Sequence, residues 1–307
     1  MTDIQPQPGM IGGVPTPPLA ILPKPARLFA MRADRFAFLA PDSRLGGYLS
    51  FLAALCRVQA RLAETLPAVT PPDPGIVTRA RAAAMPPIDR DALADDPMLA
   101  QTLDALIAAV REIEMPAPAR LALDALAAAS AEDRRWLFGN VLDDTIPADS
   151  AAPHLFVAAA VQVHLARLAA TLDAGALVPI RTGVCPCCGG KPVSSVVTGV
   201  MGAEGARYAA CAGCQTLWNE VRLTCLACGS TKGIGFRAVE DATSGDTGAQ
   251  IKAETCDSCN SWVKQMDQHR NPTLDPIADD VASLGLDALM QSGTWRRAGF
   301  DPFLIGY

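Results

Sequence analysis

Basic residues and histidine are scarce in this chain. Its 307 residues include 26 lysines and arginines against 32 aspartates and glutamates, for a formal net charge of −6. Nucleic-acid-binding proteins need a basic face for the phosphates, so this balance argues against that class. The only histidines are His154, His164 and His269, and no serine or cysteine nucleophile has a plausible catalytic partner in the sequence. We therefore expect that the protein is not an enzyme.

The sequence also lacks an export signal and a membrane-spanning run. The first 25 residues contain seven prolines and no basic residue before Lys24, and a signal-peptide core could not accommodate so many prolines. The apolar stretch from Leu155 to Leu172 is interrupted by His164 and Arg167. We expect a cytoplasmic protein that does not insert into a membrane and whose thiols stay reduced.

Eight of the ten cysteines form four Cys-x-x-Cys pairs. The pairs are Cys185/Cys188, Cys211/Cys214, Cys225/Cys228 and Cys256/Cys259. Each pair places two thiolates on one tight turn, and two such turns joined by a β-hairpin complete a tetrahedral site for zinc or iron. Gly189 and Gly229 directly follow two of the pairs and permit the positive φ that aims backbone N–H groups at sulfur. The sequence therefore predicts two metal ions in two four-cysteine sites, rather than the disulfide framework of a secreted protein.

The lengths of the connecting segments indicate which pairs share a metal. The first and second pairs enclose 22 residues, the third and fourth enclose 27, and the second and third enclose only 10. The two longer segments have room for a strand, a turn and a strand, which favours joining the first pair with the second and the third with the fourth. The interlaced order, first with third and second with fourth, remains an alternative. A short strand containing Trp218 is expected to link the two modules.

Two cysteines lie outside the pairs. Cys56 is in an apolar helical run, which is typical of a small buried hydrophobic residue. Cys187 lies inside the first pair, where it could replace a neighbour as ligand, act as a reactive thiol or be dispensable. We favour the last, because the spacing of Cys185 and Cys188 already satisfies the turn.

Composition divides the chain into a helical part and a cysteine-rich part. Apolar residues recur at helical spacing in the first part, as at Leu99, Leu103, Leu106 and Val110, and prolines mark the joints. After Pro179 short valine-rich segments bounded by glycine, serine and threonine predict strands, and helical character returns after Pro276. The predicted class is α+β, with a proline-rich N-terminal segment (1–26), an all-α domain (27–178), a region of two four-cysteine metal-binding modules of rubredoxin-like or zinc-ribbon type (179–270), and a C-terminal helix and tail (271–307).

More local patterns predict individual elements. Helices are expected over 28–39, 45–66, 120–129 and 132–142; strands over 193–197, 206–210, 217–223 and 234–239; and an exposed hairpin tip over 241–248. Asp275, Asp279 and Asp280 could form a carboxylate site, but beside Pro276 they are more typical of a helix N-terminus, where negative charge suits the helix dipole.

The cysteine-rich part resembles the formate dehydrogenase accessory proteins of the FdhE family. The resemblance is carried in order by Arg207-Tyr208, the second cysteine pair, Trp218, Arg222, the third pair, Ala253-Glu254, the fourth pair, Asp267, Ala278-Asp279-Asp280, Leu286-Asp287, Leu289-Met290 and Gly299 to Leu304. The helical part matches loosely, mainly near Arg32 and Arg35. Cys187 and Asp301 depart from the family pattern, which has an apolar residue and an asparagine there, and neither departure removes a ligand.

The resemblance implies a cytoplasmic maturation factor for respiratory molybdenum or tungsten formate dehydrogenases. Such a factor would bind the catalytic subunit before its export and carry two rubredoxin-like iron sites, although four thiolates accept zinc equally well. Trp218 and Arg222 are candidates for the partner contact, since both residue types are favoured at interfaces, with packing between the modules as the alternative. The alternative functions are a rubredoxin-like electron carrier or thiol-redox protein and, against the charge, a zinc-ribbon nucleic-acid binder. A homodimer is left open.

Overall fold

The computed structural model describes residues 16–199, 203–239 and 249–305. The helices are α1 (Pro25–Leu39), α2 (Gly46–Thr65), α3 (Pro74–Ala82), α4 (Arg90–Leu93), α5 (Pro97–Val110), α6 (Ala117–Ala128), α7 (Ala131–Leu142), α8 (Ala151–Ala169), α9 (Ala278–Ala282) and α10 (Leu284–Gln291). The strands are β1 (Ala20–Ile21), β2 (Pro192–Val197), β3 (Arg207–Cys211), β4 (Leu217–Glu220), β5 (Ile234–Arg237), β6 (Ile251–Cys256), β7 (Ser261–Asp267) and β8 (Arg296–Arg297). This order confirms the predicted α+β class. The expected hairpin tip at 241–248 lies outside the described residues.

Capping side chains set several helix boundaries. The carboxylates of Asp73 and Asp96 accept backbone N–H groups at the starts of α3 and α5, and a proline follows each of them at the first helical position. Ser130 and Asp133 form a reciprocal capping box at the start of α7. The four predicted helices correspond to α1, α2, α6 and α7, and their ends differ by three residues at most.

Helix α8 is the centre of the helical part. Almost every residue from Phe156 to Ala169 is buried, and α2, α5, α6 and α7 pack around it. Among the described residues, the segment Ala148–Ala169 is the one helix long and apolar enough to cross a membrane, yet 72% of its most apolar window is buried inside the protein. That burial is what a core helix of a globular fold shows.

The two cysteine modules are built on the same plan and join in one sheet. Each module runs cysteine pair, two strands, cysteine pair, strand, which gives β2, β3 and β4 in the first and β5, β6 and β7 in the second. The described strands are ordered β1-β4-β3-β2-β7-β6-β5, and β8 also pairs with β7. Within each module the strands are antiparallel, whereas β2 and β7 are parallel, with Ser195 opposite Gln265. This parallel pair joins the modules.

The strand that contains Trp218 does not link the modules, contrary to the sequence-based expectation. It is β4, which lies between β3 and β1 on the far side of the first module. It also ends at Glu220 instead of continuing to residue 223. The reason is that the Arg207 guanidinium donates hydrogen bonds to the carbonyl oxygens of Val221, Arg222 and Thr224, at 3.4, 3.5 and 2.7 Å. These bonds hold the chain in a turn after Glu220. The proline-rich segment supplies β1, whose Ala20 pairs with Trp218.

The acidic residues that follow the sheet bind the first helix. The Asp275 carboxylate accepts the N–H groups of Ile277 and Ala278, so it does cap the helical region. The same carboxylate pairs with Arg32 at 2.9 Å, and Asp279 pairs with Arg35 at 2.6 Å. These contacts of α1 with Asp275 and with α9 join residues about 240 positions apart in the chain and could not be inferred from capping signals. The predicted C-terminal helical region is divided into α9 and α10 at Ser283.

A second group of charges is buried beneath the end of the chain. Lys264 and Arg297 each pair with both Asp280 and Asp287, so two cations face two carboxylates. Asp301 is also buried near Asp280, and one of its carboxyl oxygens accepts the N–H of Phe303. Burial and the nearby Asp280 raise the pKa of Asp301 well above its ordinary value. Burial also disfavours ionised Asp280, but Arg297 and Lys264 outweigh it and lower its pKa. These directions favour a neutral Asp301, which leaves two cations facing the carboxylates of Asp280 and Asp287.

Replacing Asp301 with asparagine should make the protein more stable relative to wild type as the pH rises. In the unfolded chain Asp301 ionises near its ordinary pKa of 3.8, while in the fold it keeps its proton, so wild type loses stability as pH rises toward the folded-state pKa. Asparagine cannot ionise and so removes this loss. The free energy of unfolding of the variant should therefore rise relative to that of wild type by up to about 1.4 kcal/mol per pH unit. Denaturant unfolding at pH 5 and pH 8 measures it, with exposed Asp42→Asn as control. A difference independent of pH would contradict a protonated Asp301.

Candidate metal centres

The eight paired cysteines form two groups in space. Site I comprises Cys185, Cys188, Cys211 and Cys214, and site II comprises Cys225, Cys228, Cys256 and Cys259. Within each group all four sulfur atoms lie within 4.8 Å of one another. The structure thus brings together the first pair with the second and the third with the fourth, the order that the loop lengths favour.

The sulfur separations fit a tetrahedral metal site. Cys185 and Cys214 are 3.5 Å apart, as are Cys188 and Cys211; in site II the corresponding distances are 3.7 and 3.8 Å. Four sulfurs at about 2.3 Å from one ion would be about 3.8 Å apart, whereas a disulfide requires about 2.0 Å. All ten cysteines are free thiols. Either zinc or iron is compatible with this donor set, and each group is large enough for one ion.

The residue after each second cysteine has a positive φ. The values are +75° at Gly189, +65° at Gln215, +75° at Gly229 and +52° at Asn260. Glycine adopts this conformation freely and asparagine tolerates it, but glutamine needs support. Gln215 has that support, because its amide donates to the carbonyl oxygens of Ala212 and Gly213 and accepts from Arg32 at 2.8 Å. Site I is therefore held by a contact from α1.

Each site has a hydroxyl group next to a sulfur. The Thr216 hydroxyl lies 3.2 Å from the Cys214 sulfur, and the Ser261 hydroxyl lies 2.9 Å from the Cys259 sulfur. Both occupy the same place in the repeated module, two residues beyond the last cysteine. The Ser261 hydroxyl can donate to a metal-bound thiolate and stabilise its charge, whereas the Thr216 hydroxyl donates to Cys187 and accepts from the Cys214 thiol. The sequence analysis missed them, although the repeated spacing of a hydroxyl residue after Cys-x-x-Cys is a usable signal.

A buried arginine lies beside site I. The Arg90 guanidinium pairs with Asp144 at 2.8 Å and crowds Gly190, where an added Cβ would be 2.1 Å from its Nη1 and 3.5 Å from the Cys188 sulfur. Burial lowers the pKa of Arg90, but Cys188 and Asp144 outweigh burial and raise it. A cation at this point offsets the negative charge of a four-thiolate site. Nothing in the sequence around Arg90 indicated this role.

The remaining cysteines do not belong to either group. Cys187 is buried, its sulfur accepts a hydrogen bond from the Thr216 hydroxyl at 3.3 Å, and its carbonyl oxygen accepts the N–H of Ile88. It therefore connects the first cysteine turn to the helical part. Cys56 is buried in α2, and burial raises the pKa of its thiol to about 12. Such a thiol stays neutral and packs as a small apolar group.

The two partner-contact candidates have different environments. Trp218 is 3% exposed, packs in the main core and donates its indole N–H to Glu220 at 2.9 Å. Arg222 is exposed and lies on the turn between β4 and the third cysteine pair. An indole in the core cannot reach a partner without rearrangement, whereas the Arg222 side chain is accessible.

Comparison with known proteins places this architecture among FdhE proteins. The model of the FdhE N-terminal region matches residues 17–182, that of the central domain matches 184–222, and that of the C-terminal domain matches 223–304. The boundary between the last two falls between the two cysteine modules. The family resemblance inferred from the motifs is therefore confirmed along nearly the whole chain.

Individual relatives agree with this result. The chain is 54% identical over 307 residues to "Protein FdhE homolog" of Rhizobium meliloti (strain 1021), covering 100% of this chain and 99% of the relative. It is 32% identical over 294 residues to "Protein FdhE" of Escherichia coli (strain SMS-3-5 / SECEC), covering 94% and 91%. The crystal structure of the FdhE protein from Pseudomonas aeruginosa superposes with a TM-score of 0.83 at 31% identity, covering 94% of this chain and 99% of that one.

Elemental analysis should find about two equivalents of iron plus zinc per chain in freshly purified protein. The reason is that each of the two groups offers four soft ligands at tetrahedral spacing. Inductively coupled plasma mass spectrometry against amino-acid analysis gives the ratio. One equivalent or none would contradict the assignment of two sites.

Changing Cys188 to serine should remove the metal of site I together with local structure, whereas changing Cys187 should preserve both. Metal binding to such modules is coupled to folding and can contribute on the order of 10 kcal/mol. Serine at position 187 can keep its hydrogen bond with Thr216. Metal content and thermal unfolding of the two purified variants show which cysteine is the ligand. If their behaviour were exchanged, Cys187 would be the ligand.

Proposed function

Because the chain belongs to the FdhE family, we propose that it is an accessory factor in the maturation of formate dehydrogenase. We propose further that it binds the immature catalytic subunit in the cytoplasm and does not itself turn over a substrate. The observation that carries the proposal is the match of all three FdhE regions, with both four-cysteine groups intact. His154 and His164 are almost completely buried, so neither ring reaches a substrate without rearrangement, and this supports a non-catalytic role.

For the metal we propose iron of the rubredoxin type, with zinc as the alternative. The family resemblance favours iron, and the donor set accepts either ion. A bound ion would fasten the two turns of each module, and iron would add a one-electron couple. The protein's own part is to hold the sulfurs at tetrahedral spacing and to place the Thr216 and Ser261 hydroxyls beside them. The visible spectrum separates a ferric tetrathiolate from colourless zinc.

We place the contact with the catalytic subunit at the turn formed by residues 221–223. Val221 is 69% exposed and Leu223 is 57% exposed, so two large apolar side chains flank the exposed Arg222. Exposed apolar side chains around an arginine are typical of a protein interface. The turn is preorganised, because Arg207 binds the carbonyl oxygens of Val221, Arg222 and Thr224. Trp218 would then support the turn from the core rather than touch the partner.

The aromatic end of the chain is a weaker candidate for the contact. Phe303 is buried, and the Tyr48 hydroxyl donates to its carbonyl oxygen at 2.7 Å. The described part of this tail therefore packs on the helical part. We accordingly favour the 221–223 turn over the tail.

A rubredoxin-like electron carrier is the second candidate function. The observation in its favour is the exposure of Cys228 in site II, because electron transfer needs a centre close to the surface. A carrier would be dispensable for formate dehydrogenase assembly, whereas a maturation factor would not. We do not propose a nucleic acid or a membrane as partner, because the net charge is −6 and α8 is buried.

Complementation of a strain that lacks the gene tests the proposed function. Formate-dependent dye reduction should return with wild type and fall with Cys225→Ser, which loses a site II ligand, and with Arg222→Ala. Loss of an interface arginine costs on the order of 2 kcal/mol in binding. Arg222→Ala should keep its metal, and Arg61→Ala, an exposed arginine on α2, should behave as wild type.

Capture of the catalytic subunit by each purified variant completes this test. We expect capture by wild type and by Arg61→Ala, and weakened capture by Arg222→Ala. Full formate dehydrogenase activity in the deletion strain would contradict the proposed maturation role and would favour the electron-carrier function. Equal capture by Arg222→Ala and wild type would move the contact surface elsewhere.

A further inference from the structure

The two cysteine groups have the same local geometry but different surroundings. In both, the first cysteine N–H bonds the carbonyl oxygen five residues on, from Cys185 to Gly190 at 3.1 Å and from Cys225 to Ser230 at 2.9 Å. Gly189 and Gly229 have the same φ of +75°. A difference in behaviour between the sites would therefore arise from what covers them and not from their turns.

Site I is enclosed by the rest of the protein. Its cysteines are at most 2% exposed, and all four belong to the main apolar core. Helix α8 closes one side, since a Cβ on Gly213 would lie 3.0 Å from Leu165 of that helix. The ion pair of Arg90 with Asp144 packs against Gly190 and Cys188 on another side. Cys188 borders a cavity of about 1010 Å³ that Arg90 and Asp144 also line, but it is only 2% exposed, so a chelating molecule would reach its sulfur far less readily than an exposed one.

Site II lies at the surface. Cys228 is exposed and Cys259 is half-buried, whereas Cys225 and Cys256 are buried. None of the four belongs to an apolar cluster among the described residues. The two cysteine turns instead meet through exposed hydroxyls, with Ser230 and Ser258 3.0 Å apart. Water and small molecules therefore have direct access to one thiolate of this site.

We propose that site II is an exchange site for a soft divalent metal ion, entered and left through Cys228, and that site I is a permanent structural centre. Ligand exchange at a tetrathiolate begins when an incoming ligand displaces one thiolate from the metal, and this step needs access to a sulfur. At site II the exposed Cys228 gives that access. No electron transfer is involved, since the acceptor's ligands replace the protein's thiolates one by one. The proposal rests on metal binding and is independent of the partner of the protein.

Metal release from the full-length zinc-loaded protein tests the proposal. With excess 4-(2-pyridylazo)resorcinol, we expect two phases of one zinc equivalent each, and the faster should exceed the slower at least about tenfold. Cys228→His keeps a ligand that zinc accepts, so the variant should still load two equivalents while its fast phase changes and its slow phase does not. The matched variant Cys188→His should alter the slow phase alone. A single phase that releases both equivalents would overturn the proposal.

Thiol labelling gives an assignment that does not depend on any variant. In the zinc-loaded wild-type protein, iodoacetamide followed by peptide mass spectrometry should modify Cys228 first, then Cys259, and the site I cysteines last. Loss of one zinc equivalent should accompany the first modifications. Labelling of site I cysteines at the same rate as Cys228, or retention of both zinc ions after Cys228 is modified, would contradict an exchange site at site II.

Discussion

The parallel pairing of β2 with β7 is the interaction on which the cysteine-rich part depends. It joins two modules of the same plan in one sheet, and it leaves one module against the helices and the other at the edge. The same junction is crossed by Arg207 and Glu254, an ion pair at 2.9 Å whose side chains are almost completely buried. Buried pairs add little net stability but are costly to break, so separating the two modules would leave unpaired buried charges.

Charges also connect distant segments elsewhere in the fold. Arg32 binds Asp275 and Gln215 together, so one side chain of α1 contacts both the C-terminal helices and the second cysteine turn. The ion pairs of Lys264 and Arg297 with Asp280 and Asp287 connect the end of the chain to β7. Polar contacts therefore hold the alanine-rich helices in a defined position against the cysteine modules. Loss of site I would therefore disturb the contact of Arg32 in α1 with Gln215.

Site I and site II have the same ligands but differ in how much solvent reaches them. The tetrathiolate donor sets, turn geometries and neighbouring hydroxyls correspond one to one, yet Cys188 lies beside a buried arginine and Cys228 faces water. A metal enclosed in the core stabilises the junction of helices and sheet, while a metal at the surface can meet other molecules. The exposed turn of residues 221–223 ends two residues before Cys225, so a partner bound there would lie near site II.

Most helices and strands, the two four-cysteine groups and the family could be predicted from the sequence, because periodicity, cysteine spacing and ligand chemistry are local in the chain. The sequence did not determine that β2 pairs with β7, that Trp218 lies in the core, or that Asp275 binds Arg32. Nor did it show which cysteine group is exposed. These features depend on contacts between residues far apart in the chain, whose energies local patterns do not encode. Only the packed tertiary structure decides which side chains lose water and which keep it.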